Sequence, residues 1–586
     1  MPRAAGNVPA AGCGIPERRD ARHETQKVWI LSDQLTMALA QTDPTVGGLE
    51  GNRRLIEAAW KDAARAGCDL VVASELVVSG YPPEDLVLKP SFLDAVEHTV
   101  TALARATAQG PALLLGAPWR VEGQAYNAAL LLDGGAVAAV SLKHALPNYG
   151  VFDEARVFSA GPMPEPIPFR GHRLGVLICE DMWKDGPAQA LAAAGAEILV
   201  VINGSPFETD KSGERLQLAR ARVAKTGLAL VYVNQVGGQD ELVFDGASFV
   251  LDSDGSECLR LAEFVPEFDV LKLAAADGKL VPGKGTCRPL LEDNAAIYQA
   301  LMLGLRDYVN KNGFPGVLIG LSGGVDSALS AAIAADALGP ERVHCVMMPS
   351  PYTSRESLDD AAAMAMNMGM RLDTISIEPA MTAFDAMLKD SFAGRAPDTT
   401  EENIQARARG ITLMALSNKF GHMVLSTGNK SEMSVGYSTL YGDLCGGYSV
   451  LKDVYKTSVF ALSRWRNANM AVDALGPAGA VIPENIMTRA PSAELRPDQK
   501  DQDSLPPYEV LDDILAALIE GEMAIADIIA RGHDGETVTR VWRMLNIAEY
   551  KRRQAPPGVK ITRRSFGRDR RYPITNAFSG LMPEQG

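Results

Sequence analysis

The chain reads as α/β throughout, an αββα sandwich followed by a doubly wound parallel sheet. Three observations predict this. From residue 35 to about 275, short apolar runs alternate with amphipathic stretches, giving many strands with few long gaps, as two helix-covered sheets require. A glycine-rich turn at 320–324 joins an apolar run to a helical one, and β-loop-α alternation continues after it. The 586 residues exceed what a single hydrophobic core serves.

Residues 1–32 are rich in Ala, Gly, Pro and charge without periodicity and read as a disordered extension. A first domain is expected over 33–275. It starts with the strand-like run 35–41 and a helix over 52–66, followed by a strand over 69–74. Further strands are expected at 112–116, 128–132, 136–142, 174–178, 198–202, 228–234 and 247–251. A linker is expected over 276–292, where Pro282-Gly283 and Arg288-Pro289 punctuate the chain. The second domain, 293–586, opens with a helix over 293–310. Strand 317–321, helix 327–338, strand 343–348 and helix 358–368 follow.

The composition is 47% hydrophobic and 22% charged, ordinary for a globular protein. A net charge of −15 argues against a general nucleic-acid binder. No run of 18 apolar residues is present, so no membrane span is expected. Seven scattered cysteines with no CxxC fit a reducing compartment, and the cytoplasm is the expected location.

Two segments carry chemistry. In the first, Cys179 ends the apolar run 174–178. Glu75 follows another such run, and Lys143 a third. Polar groups at strand ends converge at one rim of a sheet. A thiol that cleaves an amide needs a base and a cation. Cys179 is therefore the candidate nucleophile, Glu75 the general base and Lys143 the group that stabilises the oxyanion. A lone buried cysteine is more often a small hydrophobe; the flanks at 79–86 and 146–154 argue otherwise. With them, the order Glu, Lys, Cys resembles the nitrilase superfamily, and more narrowly the glutaminase domain of glutamine-dependent NAD⁺ synthetases. The resemblance implies that Tyr149, Ser205 and Lys211 hold glutamine, with Arg215 a close competitor of Lys211.

The second segment is Gly320, Leu321, Ser322, Gly323, Gly324, Val325, Asp326 and Ser327. It matches GxSxG, but no histidine follows at a convincing triad position. Without a Gly-Lys-Ser/Thr it is no Walker A loop. SGGxDS resembles instead the ATP pyrophosphatase (PP-loop) class. In that class glycines let backbone N–H groups meet an anion at a helix N-terminus. The resemblance implies that this loop binds ATP and that Asp326 ligates Mg²⁺, the expected metal cofactor.

Segments 401–410, 425–432, 441–443 and 451–457 resemble the NAD⁺ synthetase family, as does the tail at 546–554 and 563–572. That resemblance covers nearly all of 35–578. It implies that Thr427 contacts ATP, that Asn403, Glu432 and Lys551 contact deamido-NAD⁺, that Glu432 also ligates Mg²⁺, and that Lys456 meets phosphates. Leu444-Cys445 departs from the family pattern, where a small residue is expected.

The implied activity is amidation of deamido-NAD⁺ at the expense of ATP, with ammonia from glutamine. These three small molecules are the expected partners, with neither nucleic acid nor membrane, and a homo-oligomer is expected. Ammonia is mostly protonated at neutral pH, so a passage between the sites is also expected. Another PP-loop ligase is the first alternative, opposed by Asn403, Thr427, Glu432 and Lys551. An inactive scaffold is the second, opposed by the intact Glu75, Lys143, Cys179 and Asp326.

Overall fold

The computed structural model describes residues 34–209 and 211–576. The extension expected over 1–32 lies outside the described residues.

Two sheets form the first domain. Seven strands build one, in the order Lys279–Pro282, Glu267–Ala276, Gln34–Gln41, Leu70–Ala73, Ala112–Val121, Gln124–Asp133, Ala136–Leu142. Six build the other, in the order Glu257–Arg260, Phe249–Leu251, Leu230–Asn234, Ile198–Asn203, His172–Ile178, Ile167–Phe169. Side chains alternate across each strand. Leu70 and Val72 therefore join Val176, Val200 and Val231 between the sheets. Val71 and Ala73 face the other way, against Ile56 and Val96 of helices Leu49–Arg65 and Pro90–Ala106. Helices Asp185–Ala193 and Lys211–Thr226 cover the second sheet through Leu191, Ala219 and Val223. This is the expected αββα order of layers.

The boundary differs from the expected one. Glu267–Ala276 pairs antiparallel with Gln34–Gln41, and Lys279–Pro282 pairs with it in turn. The first sheet therefore runs to Pro282, inside the segment expected to be a linker over 276–292. Lys279–Pro282 forms the sheet edge, both strands are partly exposed, and neither has the apolar run that marks the inner strands.

In the second domain five parallel strands stand in the order Arg371–Thr374, Val343–Met347, Val317–Gly320, Met423–Ser426, Tyr448–Ser449. The order reverses beside Val317–Gly320, which opens a crevice at the carboxyl ends of the strands. Helix Val325–Leu338 starts two residues earlier than expected, directly after Gly324.

Helix Asp293–Lys311 joins the domains. It packs on Val325–Leu338 and on the hairpin Val236–Gln239/Leu242–Asp245 of the first domain. Gly304 permits that approach, because a Cβ there would lie 2.8 Å from Val559 and 2.9 Å from Val243. Tyr448 donates to the Asp240 carbonyl at 3.1 Å, and Lys452 pairs with Glu241 at 2.6 Å. The stretch from Val559 to Arg570 lies against the first domain, with Lys560 on Glu208 at 2.8 Å and Arg568 on Glu84. Among the described residues no helix is long and apolar enough to cross a membrane.

Candidate active sites

Glu75, Lys143 and Cys179 converge as expected. Glu75 and Lys143 are wholly buried and 2.7 Å apart. The second Glu75 oxygen accepts from the Gly204 N–H at 2.8 Å, and Asn127 Nδ2 donates to the first at 2.7 Å. Those bonds fix the carboxylate at the rim where the two sheets meet. Cys179 lies on the next strand: its N–H donates to the Ile202 carbonyl at 2.9 Å, two residues before Gly204.

The Cys179 backbone has φ +45° and ψ −97°, a left-handed conformation that a non-glycine residue rarely adopts. It caps the strand His172–Ile178 and the short helix that starts at Glu180. Burial, reinforced by Glu75 and opposed by Lys143, raises the Cys179 thiol well above its usual range. The resting sulfur is therefore protonated, and attack must pass its proton to a neighbour.

A second carboxylate completes the cluster. Both oxygens of Glu154 accept from Lys143 Nζ at 2.8 Å, and Tyr81 donates to one at 3.0 Å. Burial alone would discharge Lys143, but Glu154 and Glu75 hold it charged. Glu154 and Asn127 were not singled out in the sequence, although Glu154 ends the flank 146–154 that carried the resemblance.

The residues expected to hold glutamine lie nearby. Tyr149 is half exposed and donates to Glu180 at 2.9 Å. Its ring packs edge-on against Phe152, and Lys211 Nζ stands 5.9 Å above the Phe152 ring. Ser205 Oγ accepts from Arg215 at 3.0 Å. Arg215 is buried in a two-pronged pair with Asp245 and also donates to the carbonyls of Ser205 and Pro206. Among the described residues Lys211 has a looser ion pair, with Glu208 at 3.4 Å.

The second site is a cavity of about 780 Å³ at the carboxyl ends of the parallel strands, walled by Gly320 to Ser327, Thr427, Glu432 and Lys456. Gly323 has φ +82°, and a Cβ there would stand 2.4 Å from the Ser357 carbonyl oxygen. Ser322 Oγ accepts from the Gly324 N–H at 3.2 Å and lies 3.1 Å from Ser327 Oγ, which holds the turn closed. Lys456 Nζ donates to Asp326 and, at 3.0 Å, to Glu432. Asn429 holds the other Asp326 oxygen at 2.8 Å. Burial raises Glu432 to about 8, with Lys456 opposing and Asp326 adding to the rise. Two carboxyl groups thus share one ammonium, Asp326 and Glu432 both meeting Lys456.

Asn403 and Lys551 do not line the cavity. Asn403 Oδ1 accepts from Thr439 at 2.7 Å, and Lys551 donates to the carbonyls of Gly436 and Ser438 at 2.8 and 2.6 Å. Both hold the segment 436–439, of which Tyr437 and Thr439 face the cavity. Two wall residues escaped sequence reasoning. Arg409, lowered to about 10 by burial, lies within the segment 401–410. Arg489 donates to the Gly323 carbonyl at 3.2 Å and comes from a stretch without a motif.

Comparisons with known proteins match both domains. The carbon-nitrogen hydrolase family model matches residues 36–265, and the NAD synthase model matches 297–555. The glutamine-dependent NAD⁺ synthetase of Rhodobacter capsulatus is 52% identical over 549 residues, covering 93% of this chain and 99% of that protein. The chain belongs to the glutamine-dependent NAD⁺ synthetase family.

It is therefore an ATP-dependent ligase of NAD⁺ biosynthesis. A solved glutamine-dependent NAD⁺ synthetase from Acinetobacter baumannii, in complex with ADP, is 45% identical. It superposes with a TM-score of 0.74, covering 93% of this chain and 99% of that one. The glutamine-dependent NAD⁺ synthetase of Cytophaga hutchinsonii, 21% identical, shares the fold at a TM-score of 0.78, with 93% and 98% covered.

Proposed function

We propose that this glutamine-dependent NAD⁺ synthetase divides its work between the two sites as follows. Cys179 Sγ attacks the side-chain carbonyl of glutamine while Glu75 takes the thiol proton, and Lys143 faces the oxyanion. Ammonia leaves with the proton from Glu75, and a glutamyl thioester remains. Water, giving its proton to Glu75, then releases glutamate. The observation that carries this reading is the buried Glu75–Lys143 pair beside Cys179, whose backbone has φ +45° and whose thiol is pushed up by burial.

Tyr149, Ser205 and Lys211 hold the glutamine. Lys211 is favoured over Arg215 because Arg215 is saturated by Asp245 and two carbonyls.

At the second site the carboxylate of deamido-NAD⁺ attacks the α-phosphorus of ATP, and pyrophosphate leaves into the 320–327 turn. Ammonia then displaces AMP, giving NAD⁺. Ammonia reaches this site through a passage between the domains. Thr427 contacts ATP and Lys456 meets the phosphates. Asn403 and Lys551 act through the segment 436–439, and Glu432 serves deamido-NAD⁺ as well as the metal. Asp326 and Glu432 suit Mg²⁺, which takes one or two carboxylates and completes its shell with phosphate and water. The ion supplies charge neutralisation on the phosphates. The six cysteines among the described residues are unpaired, which supports a cytoplasmic location.

NAD⁺ formation from deamido-NAD⁺, ATP and Mg²⁺, with glutamine or ammonium as donor, tests the division of labour. Cys179→Ala is expected to lose the glutamine-driven reaction and keep the ammonium-driven one. Loss of both, or of neither, refutes it.

A further inference from the structure

The glutamine pocket is finished by a residue of the other domain. Glu208 precedes the helix Lys211–Thr226 and stands between two lysines. Lys560 Nζ bonds Glu208 Oε1 at 2.8 Å, and Lys211 Nζ stands 3.4 Å from the same oxygen. Lys560 is 1% exposed and is anchored independently of Glu208. Its Nζ donates to the Thr562 carbonyl at 2.6 Å and lies 3.6 Å from Asp569.

The backbone around it is anchored as well. Thr209 donates through both its N–H and its hydroxyl to the Ile561 carbonyl, each at 2.9 Å. Asp453 accepts from the Ile561 and Thr562 N–H groups at 2.9 and 2.7 Å. Asp453 in turn pairs with buried Lys430 at 2.6 Å. Lys560 is therefore a fixed cation, placed by the synthetase domain against a carboxylate of the glutaminase domain.

We propose that Lys560 is a positioning residue for glutamine binding, which neutralises Glu208 so that Lys211 stays available to the carboxylate of glutamine. This rests on the reading of Lys211 as a glutamine contact. The physical reason is competition for one oxygen. While Lys560 holds Glu208 Oε1 at hydrogen-bond distance, the Lys211 pair is long and weak, and an incoming carboxylate replaces it at little cost. Without Lys560, Lys211 is the remaining ion-pair partner of Glu208 among the described residues, since Arg215 is held by Asp245, and the two close on each other. Burial already presses against the Lys211 charge, and Glu208 is its chief support, so the pull is strong. Glutamine must then break a buried ion pair before it binds.

The test is steady-state kinetics of the full chain with glutamine and with ammonium. Lys560→Met is expected to raise the KM for glutamine about tenfold and to leave ammonium-driven NAD⁺ synthesis within about twofold of wild type. Lys560→Arg keeps the charge and is expected to stay near wild type. The decisive variant is Lys560→Met combined with Glu208→Gln. Removing the charge that captures Lys211 is expected to bring the glutamine KM back to within about threefold of wild type. A merely structural role for Lys560 predicts a deeper defect in the double variant.

The proposal is overturned if Lys560→Met leaves the glutamine KM unchanged, impairs both donors equally, or is made worse by Glu208→Gln. Lys211→Met separates the two readings. An unchanged glutamine KM in that variant removes the Lys211 assignment and the proposal with it. A raised KM in Lys211→Met beside an unchanged one in Lys560→Met removes the positioning role alone.

Discussion

Glu75 and Lys143 form an ion pair of 2.7 Å from which solvent is excluded on both sides. Such a pair is costly to assemble and worse to break, because losing either partner leaves a buried charge short of its counter-charge. Its worth lies in what stands beside it. Cys179 is held as a neutral thiol next to a carboxylate able to take its proton and an ammonium able to face the resulting anion.

Replacing Glu75 by Gln keeps the shape and removes the proton acceptor. Glutamine hydrolysis is expected to fall by about a hundred- to ten-thousand-fold, the range for loss of a general base. Alkylation of Cys179 by iodoacetamide is expected to slow in parallel, while ammonium-driven synthesis stays intact. Glutamate release, labelling rate and NAD⁺ formation on the same preparation would decide it. A labelling rate equal to wild type would show that Glu75 does not take the thiol proton.

Lys456→Met takes away the one ammonium shared by Asp326 and Glu432. Synthesis from both donors is expected to drop about a hundredfold or more, since a preorganised charge facing phosphates is lost. Glutamine hydrolysis is expected to persist. A variant that kept ammonium-driven synthesis would remove Lys456 from the phosphate site.

Gly323→Ala places a methyl group 2.4 Å from the Ser357 carbonyl oxygen in a backbone of φ +82°. The turn must shift or the helix Arg355–Met368 must give way. A loss of about 1–3 kcal/mol in stability is expected, with weakened ATP binding by calorimetry and unchanged glutamine hydrolysis. Wild-type affinity for ATP would rule out a close-fitting turn.

Asp43, where the first domain meets Lys311, gives a pH dependence. Burial, reinforced by Asp307 and opposed by Lys311, raises its carboxyl from 3.8 to about 7. The folded state then binds a proton that the unfolded chain releases, so this site loses stability as the pH rises from about 4 to about 7. Between pH 5 and pH 8 the melting temperature of wild type is expected to fall more than that of Asp43→Asn. Parallel pH profiles for the two proteins would contradict the shift.

Much of this was legible in the sequence because buried parallel strands are continuous apolar runs. Leu70–Ala73 and Ile198–Asn203 announce themselves, and the polar residues that end such runs, Glu75 and Cys179, fall at the rim of the sandwich. The 320–327 turn was legible for a different reason: at Gly323 a side chain would strike Ser357, and that restriction leaves a recognisable string of residues. The outer strands Glu267–Ala276 and Lys279–Pro282 were hidden, since a partly exposed pair at one side of a sheet carries no apolar run. Arg489 was hidden because its partner, the Gly323 carbonyl, lies 166 residues away and backbone oxygens leave no trace in composition. The roles of Glu154 and Arg215 turn on which neighbour each is paired with, and spacing along a chain does not state that.

The contact of Glu208 with Lys560 spans 352 positions, and the ribosome makes Glu208 first. A growing chain exposes the whole thiol machinery, Glu75, Lys143 and Cys179, well before the segment that steadies its pocket has been translated. An unfinished molecule, or one truncated ahead of residue 560, has no use for ammonia. It also lacks the cation that keeps Lys211 open to glutamine. On the proposed role of Lys560, nascent and truncated copies would bind glutamine poorly.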